Sequence, residues 1–257
     1  MMRHLSLIAF TVLLIFAPGA FADDTIYFSS PGNNVWQGVY VNPYVGADLS
    51  QTPETTLTLF CDDYNTEFSG NPTWEAAINP LNPSNAGSFI YGNINTAYDF
   101  TYSSVTDQIS ASLVPVSDPY YLYLQVAFLF DVVSGLEGQT QTQARLVNEQ
   151  ELSAAAWTLF VDSNNYTQLT NAINNSGSNF ASDVAFDLRW AEQEAGTPLN
   201  PNSAIGSGWS VVTPAPGYVM QEFLTYSPPI VTPEPASMFL LGLVLLGCGR
   251  GLARRWR

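Results

Sequence analysis

Histidine and lysine are almost missing from this chain. The only histidine is His4, and all seven basic residues are arginine. His4 belongs to an N-terminal stretch that reads as a removable leader, so the rest of the chain has no imidazole and no side-chain amine. That excludes Ser-His-Asp and Cys-His nucleophilic catalysis, Schiff-base chemistry and a Cys/His zinc site within the chain. Carboxylate chemistry, or none, is what remains. Cysteine is as scarce, with only Cys61 and Cys248 present. Cys61 stands alone in the central region, so no internal disulfide forms there and the fold must be held by its core. Positive charge is scarce too. Between 23 and 230, Arg145 and Arg189 face twenty-one carboxylates, a net charge near −19. That sign excludes nucleic acid as a partner. Charged residues of both signs make up only 11% of the chain, and Asn, Ser, Thr, Gln and Tyr supply the polar surface instead. Such a surface suits an extracellular setting, and the abundance of Phe, Tyr, Trp, Val, Leu and Ile argues against disorder.

What is present at the two ends concerns transport. Residues 1–22 combine Arg3 and His4 with an apolar stretch from Leu5 to Phe16. Ala20-Phe21-Ala22 then forms a small-x-small site before Asp23. This is the pattern of a signal peptide cut by signal peptidase between Ala22 and Asp23. At the other end come Pro233-Glu234-Pro235, an apolar run from Ala236 to Gly249, then Arg250, Arg254, Arg255 and Arg257. The prolines fix φ and remove backbone donors, which predicts an extended, protease-accessible peptide. Fourteen helical residues reach about 21 Å against a hydrocarbon core of roughly 30 Å, so the span needs Arg250 to snorkel and 251–253 to join it. The arginines place the tail in the cytoplasm and the body outside. The order of the three parts resembles the PEP-CTERM sorting signal of Gram-negative bacteria. That resemblance implies recognition by a membrane-embedded exosortase, a precursor anchored in the inner membrane, and final display at the cell surface or beyond it. Cys248 is read as a small apolar filler in the span.

Between the ends, 23–230 is long enough for a single extracytoplasmic domain with a substantial core. Aromatic and β-branched residues alternate from Thr25 to Val45, with turns at Pro31-Gly32-Asn33-Asn34 and Asn42-Pro43, which predicts short strands. Thr55 to Asp62 predicts another, with Thr56, Thr58 and Phe60 on one face and Leu57, Leu59 and Cys61 on the other. Pro72, Pro80 and Pro83 predict loops through the next forty residues. Asp118-Pro119 is an N-cap with proline at the first helical position, followed by a stripe of Leu122, Val126, Leu129 and Val133 that ends at Gly135. Further helices are predicted at 143–161, 164–175 and 183–195, and strand again at 206–224. The fold class is therefore α+β: a mainly antiparallel sandwich- or barrel-like core, a helical insertion around 118–196, and a C-terminal transmembrane helix.

Phe60-Cys61-Asp62-Asp63-Tyr64-Asn65, Ala154-Ala155-Ala156-Trp157-Thr158-Leu159-Phe160, Trp190-Ala191-Glu192, and Pro214 with Gln221-Glu222-Phe223-Leu224 resemble a recurring group of PEP-CTERM surface proteins. More remotely, the layout is similar to thioester domains of Gram-positive adhesins. That resemblance implies a thiol at Cys61 joined to a Gln four residues before the helical Trp. The position four before Trp157 is Ser153, which cannot supply an acyl group, and Gln150 lies a turn earlier.

Other groupings are weighed the same way. Asp62, Asp63, Asn65 and Glu67 cluster oxygen atoms suited to calcium, or to an Asx-turn closing the strand. Asp62 with Glu75, or Glu149 with Glu151, has the composition of a glycosidase pair, and equally of exposed acids on a solvated face. Trp36, Trp74, Trp190 and Trp209 offer either a sugar-stacking platform or core. No catalytic residue, metal ligand or cofactor site is assigned. The expectation is an exported, non-catalytic structural or interaction protein of the surface or of an exopolysaccharide or biofilm matrix. A polysaccharide-binding module and a degenerate thioester-type adhesin are the alternatives.

Overall fold

The computed structural model describes residues 24–227, apart from positions 33, 42, 63, 65–71, 138, 178 and 219. The signal cleavage site at Ala20, Ala22 and Asp23, the motif Pro233, Glu234 and Pro235, and the expected transmembrane helix all lie outside the described residues. Among those described, no helix is long and apolar enough to cross a membrane.

Period-two patterning builds the first part of the chain. β1 (Asp24–Ser30) is followed by the two-residue strands β2 (Val35–Trp36) and β3 (Val39–Tyr40), then β4 (Tyr44–Asp48), β5 (Thr55–Cys61) and β6 (Thr73–Pro80). After a 3-10 turn at Ala86–Ser88 come β7 (Thr96–Ser103) and β8 (Gln108–Pro115). Four helices follow: α1 (Pro119–Glu137), α2 (Gln143–Thr158), α3 (Tyr166–Asn174) and α4 (Phe180–Glu194). The short β9 (Gly196–Thr197) and β10 (Asn200–Pro201) precede β11 (Trp209–Pro214) and β12 (Phe223–Tyr226).

Six of these strands close an antiparallel barrel in the order β1-β4-β5-β12-β11-β6. Closure leaves none of the six with an unpaired edge. The interior is filled by Ile26, Phe28, Tyr44, Leu57, Leu59, Cys61, Trp74, Ala76, Val212 and Phe223. Each large apolar side chain buried there contributes about 1.5–3 kcal/mol. β5 behaves as its alternation predicts. Leu57, Leu59 and Cys61 point into the barrel, Thr56 and Thr58 face solvent, and Phe60 points outward to a second core. The bore is narrow enough to demand glycine at position 46. A Cβ there would sit 2.6 Å from Leu59 Cδ1 and 2.9 Å from the Tyr27 carbonyl oxygen.

The second core joins the outside of the barrel to the helices. Phe60 stacks on Phe130 with centroids 5.1 Å apart and meets Trp209 edge-on at 5.4 Å. α1 is buried on most of its circumference, from Tyr120 to Val133, and Leu122 of the expected stripe is only half-buried. Its N-terminus is closed as predicted, with Asp118 Oδ1 accepting from the Tyr120 amide at 3.1 Å. α4 begins at Phe180 and not at Asp183, because Asn179 adopts a left-handed φ of 71° and its carbonyl accepts from the Asp183 amide at 2.8 Å. Phe180 then stacks on Trp36 at 5.3 Å.

The main correction concerns the proline-rich stretch. Pro80 terminates a strand instead of preventing one, since its missing amide falls at the last residue of β6. The excursion out of the barrel accordingly starts after β6 and includes the β7–β8 ribbon as well as the helices. Asn174 of α3 clamps that ribbon through both amide atoms, accepting from the Ile109 amide at 2.8 Å and donating to its carbonyl at 3.0 Å.

Candidate functional site

The seam between barrel and helices holds the residues singled out around Cys61. Trp157 Nε1 donates to the Cys61 carbonyl at 2.9 Å, so the landmark tryptophan does meet the landmark cysteine through its backbone. The Cys61 side chain, however, is packed in the barrel interior with Leu59, Tyr44 and Phe223. Gln150 is held elsewhere: its Nε2 donates to Asn34 Oδ1 at 2.9 Å and to the Val35 carbonyl at 3.1 Å. The buried position four before Trp157 is Ser153. Thioester chemistry therefore lacks its acyl partner.

The carboxylate pairs proposed for hydrolysis are not assembled either. Asp62 is fully buried at the end of β5, whereas Glu75 is exposed on β6, and these strands are not neighbours in the barrel. Glu149 and Glu151 sit two residues apart on α2 and face different partners. Glu149 receives Arg145 Nε at 2.6 Å and Asn34 Nδ2 at 3.0 Å. Glu151 looks instead toward Asp183 and Asp187 on α4. Burial, then those two like charges, pushes the Glu151 carboxyl up to about 7, and burial with Asp183 pushes Asp187 up to about 7. Of the calcium candidates only Asp62 is described, and Asp63, Asn65 and Glu67 lie outside the described residues. No cluster of metal-ligating side chains occurs among the described residues.

Three of the four tryptophans are core. Trp36, Trp74 and Trp209 are buried, and only Trp190 is exposed, packed edge-on against Phe128 at 4.8 Å. Its other neighbour, the exposed Phe186, is tilted 41° from it, so the pair does not form a flat stacking surface.

Two arrangements were not anticipated. In the seam, the Tyr123 hydroxyl donates to Glu222 Oε1, while Glu222 Oε2 accepts from the Ile90 amide at 2.9 Å and from Thr213 Oγ1 at 2.7 Å. Burial first, then the charges of Glu222 and Asp62, holds the Tyr123 hydroxyl well above its ordinary range. Glu222 is fully buried in a segment beside β12, and an acid between Gln221 and Phe223 was the available signal.

The second arrangement is a cleft of about 350 Å³ between the β7–β8 ribbon and helices α1 and α4. Tyr98, Asp99, Asp118, Gln125, Arg189 and Glu192 contribute to its wall. Gln125 is only 5% exposed, and its side-chain amide has no hydrogen-bond partner among the described residues. Arg145 is bound by Glu137 and Glu149, both at 2.6 Å, whereas Arg189 makes no ion pair among the described residues. Gln125 interrupts the apolar first part of its helix, 119–130, which marks a polar group there but not the cleft that it meets.

Comparison with known proteins speaks to the tail alone. No curated protein and no solved structure matches the chain. The similarity to thioester-domain adhesins thus finds no support there. Residues 231–257 match the family model of the PEP-CTERM protein-sorting motif, covering Pro233-Glu234-Pro235, the apolar run and the arginines. The chain carries a PEP-CTERM sorting motif at residues 231–257, the signal that directs a protein to exosortase, to export and to cell-surface display.

Proposed function

We propose that this protein is a non-catalytic interaction component of the cell surface, working in an exopolysaccharide or biofilm matrix. In this reading, signal peptidase cuts between Ala22 and Asp23, and the segment 236–249 holds the precursor in the inner membrane. Exosortase then separates the acidic domain 23–230 from its tail. The sorting motif at 231–257 is the single observation that carries the reading. Composition supports it: a body with no lysine and only two arginines offers no site for nucleic acid, and its uncharged polar residues suit a hydrated polymer. The buried acids add weight to a non-catalytic role. Glu149 and Glu222 are tied up in hydrogen bonds that join structural elements, with no open face toward a substrate.

Cell fractionation tests the proposal. The protein is expected in the matrix fraction of producing cells, and to accumulate in the inner membrane when exosortase is deleted. Recovery from the medium with none in the matrix fraction, in cells making exopolysaccharide, would refute the matrix assignment while leaving export intact.

A further inference from the structure

The cleft under the β7–β8 ribbon has the features of a ligand site. Its volume of about 350 Å³ lies at the lower end of small-molecule sites, which run from roughly 300 to 1,000 Å³. Gln125 in the wall is only 5% exposed and its side-chain amide has no protein hydrogen-bond partner among the described residues, which leaves it free to bond a ligand in the cleft. Arg189 is the second such group, a guanidinium without an ion pair in a body dominated by carboxylates. Asp99, Asp118 and Glu192 stand around them as acceptors.

These groups define the ligand by complementarity. Gln125 both donates and accepts, Arg189 only donates, and the carboxylate oxygens accept. A partner for all of them must donate and accept at several closely spaced points, as neighbouring hydroxyls do. Three carboxylates against one guanidinium disfavour an anion, and an uncharged polyhydroxy ligand meets the mixed donors and acceptors without needing an ion pair. Tyr98, held by stacking on Tyr166 at 4.5 Å, and Phe100 add aromatic surface for the C–H face of a ring. We propose that this cleft binds an uncharged saccharide unit, with Gln125 and Arg189 hydrogen-bonding its hydroxyls. The proposal rests on the matrix reading for its biological setting and on the cleft alone for its chemistry.

The experiment titrates the exported protein, purified from producing cells, with uncharged cello-, laminari- and malto-oligosaccharides, with oligogalacturonides, and with glucosamine oligomers, following binding by calorimetry. Saturable one-to-one binding of an uncharged series is expected. Arg189→Gln and Gln125→Leu should each weaken it tenfold or more, with the melting temperature of Arg189→Gln unchanged. Arg189 is exposed, so that variant keeps the test decisive even where Gln125→Leu folds poorly. Tighter binding of either charged series, indifference to Arg189→Gln, or the appearance of new reducing ends would overturn the proposal. A protein that binds these sugars yet is missing from the matrix fraction would refute the matrix reading and leave the site standing. One that sits in the matrix but binds none of the probes would do the reverse.

Discussion

The Tyr123 hydroxyl and the Glu222 carboxylate meet by a direct hydrogen bond in the buried seam between α1 and the barrel. Ninety-nine residues separate them in sequence, and Glu222 also gathers the Ile90 amide and Thr213 Oγ1. The carboxylate is thus the point at which helix, loop and barrel strand are locked together. Tyr123→Phe removes one donor from a buried charge and should cost about 1–3 kcal/mol in urea unfolding. Glu222→Ala strands all three donors and should cost more. A loss below about 0.5 kcal/mol for both would show that this junction contributes no stability.

The acids facing each other across α2 and α4 predict a pH dependence. The folded-state pKa values of Glu151 and Asp187 lie near 7, above the ordinary carboxyl values they regain on unfolding. The folded state therefore binds more protons over that interval, so stability falls as pH rises. The advantage is full below the unfolded values and is lost through about pH 7. Melting temperature should drop between about pH 5 and pH 8, and Glu151→Gln should flatten the slope. A melting temperature that climbs over this range would contradict the arrangement.

The narrow bore of the barrel makes a third claim. Gly46→Ala would place a methyl group 2.6 Å from Leu59 Cδ1 and 2.9 Å from the Tyr27 carbonyl. The side chain can shift, but the strand backbone beside it cannot without disturbing the β1–β4 ladder. A loss of about 1–3 kcal/mol is expected on equilibrium unfolding. A neutral result would mean that the barrel is looser than this packing implies.

Cys61 provides a chemical check. Its side chain is 1% exposed within the barrel core. The thiol should resist alkylation in the folded protein and react fully in denaturant, and the intact mass should show no loss of ammonia. Rapid labelling of the native protein would contradict its burial, and a mass lower by one ammonia would restore the thioester reading.

These relationships differ in how much of them the sequence discloses. β5 was legible because Leu57, Leu59 and Cys61 alternate strictly with threonines, and the start of α1 was legible because Asp118-Pro119 is a local signal. β6 was not, since Pro80 reads as a breaker until its place at the end of the strand is known. The helical starts shifted where a left-handed residue, Asn179, set the boundary. Tertiary pairings were the least visible. Nothing near Glu222 points to Tyr123, and nothing near Gln125 reveals that its amide meets a cleft formed by a ribbon and two helices. The tail was the opposite case, because hydropathy, two prolines and terminal arginines act locally and need no fold to be read.

Intact mass of the exported protein, from cells with and without exosortase, tests the central claim that both ends are transport signals. With exosortase present, the account predicts a species that begins at Asp23 and has lost the apolar run and Arg257. Without exosortase, the tail should remain. A wild-type exported species that still carries Arg257 would contradict it.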